Sequence, residues 1–86
     1  MKHLFFGSAD CGNTPVKYFL LVGTREQDLE EYGVLVERGE EKAEIPGLTF
    51  SQRRIQELLD RMCRGVVTPV TARDVAEDWL LSESGL

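Results

Sequence analysis

The spacing of apolar residues changes once along the chain, near residue 50. Before it, short β-rich blocks alternate with turn formers; after it, apolar residues recur every three to four positions. Met1–Phe6 reads as a short strand. The stretch Gly7 to Pro15 is dense in Gly, Ser, Asp, Asn and Pro and reads as a loop. Val16–Thr24 is rich in β-branched and aromatic residues and predicts a second strand. Glu30–Glu37 predicts a third, with Tyr32, Val34 and Val36 on one face. Arg38-Gly39-Glu40 is a tight turn, and Glu41–Ile45 returns with Ala43 and Ile45 on one side and Lys42 and Glu44 on the other. Pro46-Gly47 is expected to end that strand.

In the second half, Ile55, Leu58, Leu59 and Met62 fall on one helical face, which predicts an amphipathic helix over 51–64. Ser51 is its expected N-cap, with Phe50 and Ile55 at the spacing of a hydrophobic staple, and Gly65 its expected stop. Val66–Pro69 reads as an extended link. A second helix is expected over 71–82, capped by Thr71 with Asp74 three residues on, stapled by Val70 and Val75, and striped by Ala72, Val75, Ala76, Trp79 and Leu80. Strands followed by helices, joined by connections too short for parallel crossovers, predict an α+β fold: a three- or four-stranded antiparallel β-meander with two helices packed on one face, in a single domain.

That architecture leaves a sheet face uncovered. Val16–Thr24 is apolar on both sides, with Tyr18, Leu20 and Val22 on one and Phe19 and Leu21 on the other, and Leu35 opposes Val34 and Val36. Two helices cover one face of a small meander. Phe5, Phe19, Leu21 and Leu35 are therefore the expected second-face set, bordered by Lys42 and Glu44. Either residues 1–15 fold across it or it is an interface, most simply with a second copy of the chain.

Composition narrows the function classes. The 86 residues carry a formal net charge of −5, and 42% are hydrophobic, as in a globular protein. The charge is unevenly placed: residues 26–44 net −6, and residues 45–72 net +2. The longest apolar run, Tyr18 to Val22, is far short of a membrane span, and the amino terminus lacks the pattern of a secretory signal. With two cysteines, Cys11 and Cys63, a disulfide framework is not expected, and a cytoplasmic setting is.

Candidate chemistry is sparse. The one histidine, His3, and Cys11 would have to meet to form a nucleophile–base pair, and nothing in the sequence brings them together. Asp10 beside Cys11 disfavours the thiolate. Three Cys and His residues, scattered, do not make a zinc site, and no phosphate-binding glycine motif is present. Neither a catalytic residue, a cofactor nor a small-molecule substrate is expected. Helix 51–64 places Arg54, Arg61 and Arg64 on a solvent side with Glu57, the last expected to pair with Arg61. That face is a candidate anion or nucleic-acid contact, but the acidic second helix lacks the Arg, Lys and Asn of a base-reading helix.

Two blocks carry a resemblance. Tyr32-Gly33-Val34-Leu35-Val36-Glu37 and Thr68-Pro69 leading into Asp74-Val75-Ala76-Glu77-Asp78-Trp79-Leu80 resemble an uncharacterised family of small Firmicute proteins. The resemblance implies a bacterial cytosolic protein and assigns no site. The expectation is a non-enzymatic protein-binding or regulatory module working as a homodimer or with a protein partner. A nucleic-acid binder using the first helix is the alternative.

Overall fold

The computed structural model describes residues 2–10, 12–24 and 28–84. It has the expected α+β architecture: strands β1 (Lys2–Ala9), β2 (Val16–Thr24), β3 (Glu30–Arg38) and β4 (Glu41–Thr49), then helices α1 (Gln52–Arg64) and α2 (Pro69–Ser84). The strands form one antiparallel meander in the order β1-β2-β3-β4. Both helices lie on one side. Tyr18, Leu20, Val34, Val36 and Ile45 of the sheet join Ile55, Leu58, Leu59 and Met62 of α1 and Ala72, Ala76 and Trp79 of α2 in one buried cluster.

The turn between β3 and β4 follows its sequence. Gly39 takes φ 60° at the first of two loop positions, where a hairpin turn of type II′ requires glycine. Both outer strands, in contrast, run further than their residues suggest. Gly7, Ser8 and Ala9 continue β1 beyond an irregularity that leaves Phe6 unpaired, with Phe5 opposite Phe19 and Gly7 opposite Tyr18. The small residues belong there because α1 packs above them: a Cβ at Gly7 would sit 3.6 Å from Cys63 Sγ, and the Cys63 thiol donates to the Ser8 carbonyl at 3.5 Å. Pro46-Gly47 likewise does not end β4, which continues to Thr49 through a second irregularity opposite Gly33. An edge strand tolerates proline, since the N–H it lacks would face solvent.

The helix boundaries correct two further expectations. Ser51 caps α1 as expected, its hydroxyl accepting the Arg54 N–H at 3.3 Å, although Phe50 stays 55% exposed and contributes little as a staple. At the other end α1 stops at Gly65 as expected, but Gly65 is not the left-handed residue. It takes φ −87°, and Val66 takes φ 51°. The Val66 N–H bonds the Cys63 carbonyl and the Val67 N–H bonds the Met62 carbonyl, which makes Val66 the C′ residue of a Schellman motif. Helix α2 starts two residues earlier than expected, at Pro69. Proline's fixed φ and missing N–H suit a first helical position. Thr71 lies inside the first turn, its N–H bonding the Thr68 carbonyl at 3.1 Å, so the Thr71–Asp74 capping box does not form. Val70 is 75% exposed and staples nothing, and Asp74, Glu77 and Asp78 lie beyond the first turn.

The α1–α2 link is tied to the sheet by one buried group. Tyr18 is fully buried, and its hydroxyl donates to the Val67 carbonyl at 2.8 Å. No described helix is long and apolar enough to cross a membrane.

Candidate interaction surface

The helix-free face of the sheet carries the residues that alternation assigns to it. In register, Phe5 opposes Phe19, Phe19 opposes Leu35 and Leu35 opposes Glu44, while Leu21 lies between His3 and Gly33. The Phe5 and Phe19 rings meet edge to face, centroids 5.6 Å apart at 72°. Lys42 and Glu44 are exposed at the border.

One expectation about this face is corrected. Leu21 and Leu35 are not open to water: they are 1% and 2% exposed, although both stand outside the helix-side cluster. They occupy the two inner strands, β2 and β3, each with a paired strand on both sides. Residues 2–9 do not lie across the face. They extend the sheet at its edge and add Phe5 to it. What remains open on this face is concentrated at Phe5, 62% exposed; along the same strand Phe6 is 38% exposed and Leu4, on the helix side, 49%.

The first-helix arginines are exposed but not a bare cationic face. Arg64 pairs with Asp60, and Glu57 pairs with Arg53 at 3.6 Å rather than with Arg61. Exposed i,i+4 pairs of this kind contribute a few tenths of a kcal/mol. Arg61 instead borders a shallow groove of about 500 Å³ between the helices, together with Asp74, Asp78, Trp79 and Leu81. Arg54 is exposed and also has an interaction partner. Arg61 and Arg64 also line a groove with Glu57 and Asp60, and Arg54 borders a different one with Ser51, Arg53 and Glu57, so carboxylates share each groove with these arginines.

Few groups carry perturbed chemistry. Tyr32 is held above the ordinary tyrosine pKa, first by its removal from water and then by the hydrogen bond and negative charge of Glu30, whose Oε1 accepts from the phenol at 3.2 Å. Cys63 is half-buried, and Cys11 lies outside the described residues. Among the described residues no three His, Cys, Asp or Glu side chains are grouped so as to hold a metal ion.

Sequence comparison assigns a family without an activity. Residues 6–82 match a family of unknown function (DUF6514). The chain belongs to this family. The match runs from Phe6 in β1 to Ser82 in α2, so it spans the meander and both helices. No curated protein matches the chain, and no solved structure does. For this DUF6514 member, function has to be argued from the surface.

The signal that sequence reasoning underused is the contrast between the outer strands. From His3 to Ala9, β1 has no Lys, Arg, Asp, Glu or Pro, whereas β4 has Glu41, Lys42, Glu44 and Pro46 within nine residues.

Proposed function

We propose that this DUF6514 protein is a non-enzymatic protein-binding module that acts as a homodimer, through the open apolar surface of β1 on the helix-free side of the sheet. The observation that carries the reading is Phe5: a phenylalanine 62% exposed on the helix-free side, edge to face with Phe19 and next in sequence to the exposed Phe6. Contiguous exposed apolar surface of this kind marks interaction sites in small proteins. The resemblance of the Tyr32–Glu37 and Thr68–Leu80 blocks supports a bacterial, Firmicute and cytoplasmic setting. Against the nucleic-acid alternative stand the carboxylate partners of Arg53 and Arg64 and the net charge of −5. Sedimentation equilibrium from micromolar to millimolar protein tests the reading. The wild type is expected to dimerise and Phe5→Asp to stay monomeric at the same concentrations; a wild type monomeric throughout overturns it.

A further inference from the structure

We infer that the dimer forms by strand addition: β1 pairs antiparallel with β1 of a second copy, joining two meanders into one eight-stranded sheet. The inference rests on the dimer reading above and specifies its geometry. Three observations favour the edge over the face. First, Leu21 and Leu35 are already buried within one chain, so stacking two helix-free faces would remove from water little beyond Phe5 and part of Phe19. Strand addition draws affinity from main-chain hydrogen bonds and needs no broad apolar face.

Second, from His3 on, β1 lacks the charges and proline that guard β4. Charges and proline are the usual guards, and between His3 and Ala9 it has neither, while β4 has both. Its apolar residues sit where a neighbouring strand would cover them. The single irregularity of β1, at Phe6, is compatible with pairing and fixes its register. Before it, Lys2 and Leu4 face the helices and His3 and Phe5 the open side; after it, Gly7 and Ala9 face the helices. A full overlap of residues 2–9 about a two-fold axis between Phe5 and Phe6 sets Leu4 opposite Gly7, Lys2 opposite Ala9 and His3 opposite Ser8. Like faces like at each of these positions because the extra residue at Phe6 shifts the alternation. The two-fold then keeps the helices of both copies on one side of the sheet.

Third, the charges agree with that register and with a second copy as the occupant. Lys2 is the one cation of β1, and Asp10 follows its last residue. Antiparallel overlap brings Lys2 of each copy to the Ala9–Asp10 end of the other. The centre of the contact, Leu4 to Phe6, is uncharged.

Disulfide trapping tests this geometry. In a Cys11→Ser, Cys63→Ser background, His3→Cys combined with Ser8→Cys places thiols opposite each other across the proposed axis. Both side chains lie on the helix-free side, and Phe5 and Phe6 stay in place. The control is Phe19→Cys. With two β1 strands between the β2 strands, its partner would be about 14 Å away at ~4.8 Å per strand, beyond the ~7 Å Cα separation that a disulfide bridges. Circular dichroism confirms that each variant is folded. Under mild oxidation the His3→Cys/Ser8→Cys protein is expected to give covalent dimer at least tenfold faster than Phe19→Cys. Trapping of Phe19→Cys as fast or faster, or a sedimenting dimer that neither variant traps, overturns the strand pairing and leaves the dimer reading standing. A background protein monomeric at millimolar concentration overturns both.

Discussion

The two outer strands of the meander solve the same problem in opposite ways. Both present an unpaired edge. In β4 that edge is broken by Pro46, lined by Glu41, Lys42 and Glu44, and bent where Gly47 takes φ 66°. The bend presses inward: Ile45 and Pro46 approach β3 so closely that a Cβ at Gly33 would lie 2.2 Å from the Ile45 carbonyl oxygen and 2.6 Å from Pro46 Cα. In β1 the edge is nearly uncharged, and the side chains of Lys2 to Phe6 are all exposed. One strand carries proline, charge and a bend on its outer edge and packs tightly on its neighbour within the chain; the other is left open. The comparison teaches where self-sufficiency ends in this small fold: residues that close β4 act on folding, and residues of β1 are free to act on association.

The largest effect is expected on the closed side. Gly33→Ala places a methyl group into backbone rather than into a flexible side chain, so the strand pair must separate. Overpacking of this kind costs about 3 kcal/mol, a large share of the roughly 5–15 kcal/mol that holds a small domain together. Urea denaturation is expected to show that loss, or the variant to fail to fold. A loss under 1 kcal/mol would mean that this contact does not fix β4 against β3.

Next in size is a change remote from both edges. Val66→Gly is expected to raise stability by about 1 kcal/mol, since the left-handed region costs a residue with a Cβ roughly 1–2 kcal/mol and costs glycine nothing comparable, less what glycine loses in chain entropy. A gain in the urea midpoint at unchanged slope is the readout. The position also shows what the sequence conceals. The meander, both helices and the membership of the helix-free face were legible, because periods of 2 and 3.6 survive in the side chains themselves. The breaks in period were not. Phe6 and Pro46-Gly47 read as strand ends because alternation stops there, whereas the backbone absorbs the extra residues and pairing resumes. Gly65 read as the stop of α1, and α1 does stop there, yet the hydrogen bonds to the Met62 and Cys63 carbonyls put the left-handed conformation on Val66 instead of on the glycine. The open surface was half legible. Alternation assigned Leu21 and Leu35 to the right face, but their exposure depends on their place in the inner strands of the folded sheet, which one strand's pattern does not contain.

On the open side the same measurement is expected to return a smaller number. Phe5→Ala removes a ring that is 62% exposed and whose observed ring contact is the edge-to-face pair with Phe19. Such pairs contribute about 0.5–1.5 kcal/mol beyond area burial. Measured at a concentration where the protein is monomeric, the loss is expected to be near 1 kcal/mol. A loss of 3 kcal/mol or more would place Phe5 among the folding residues and erase the distinction between the edges.

The smallest effect concerns alkaline pH on the β4 side, where Tyr32 precedes Gly33 and pairs with Thr49. Removal from water and the Glu30 carboxylate hold its phenol above the ordinary tyrosine value. The folded state therefore keeps a proton that the unfolded chain releases near pH 10. Below that pH the phenol is neutral in both states and contributes no slope. As pH rises past it, the unfolded state sheds its proton first, and the folded state loses stability until its own phenol titrates. The wild type is thus expected to lose stability between pH 10 and the higher folded value more steeply than Tyr32→Phe, with parallel profiles below pH 9. Urea midpoints across pH 8 to 11 give the comparison, and profiles that stay parallel above pH 10 would show that closing the β4 edge does not hold Tyr32 away from water.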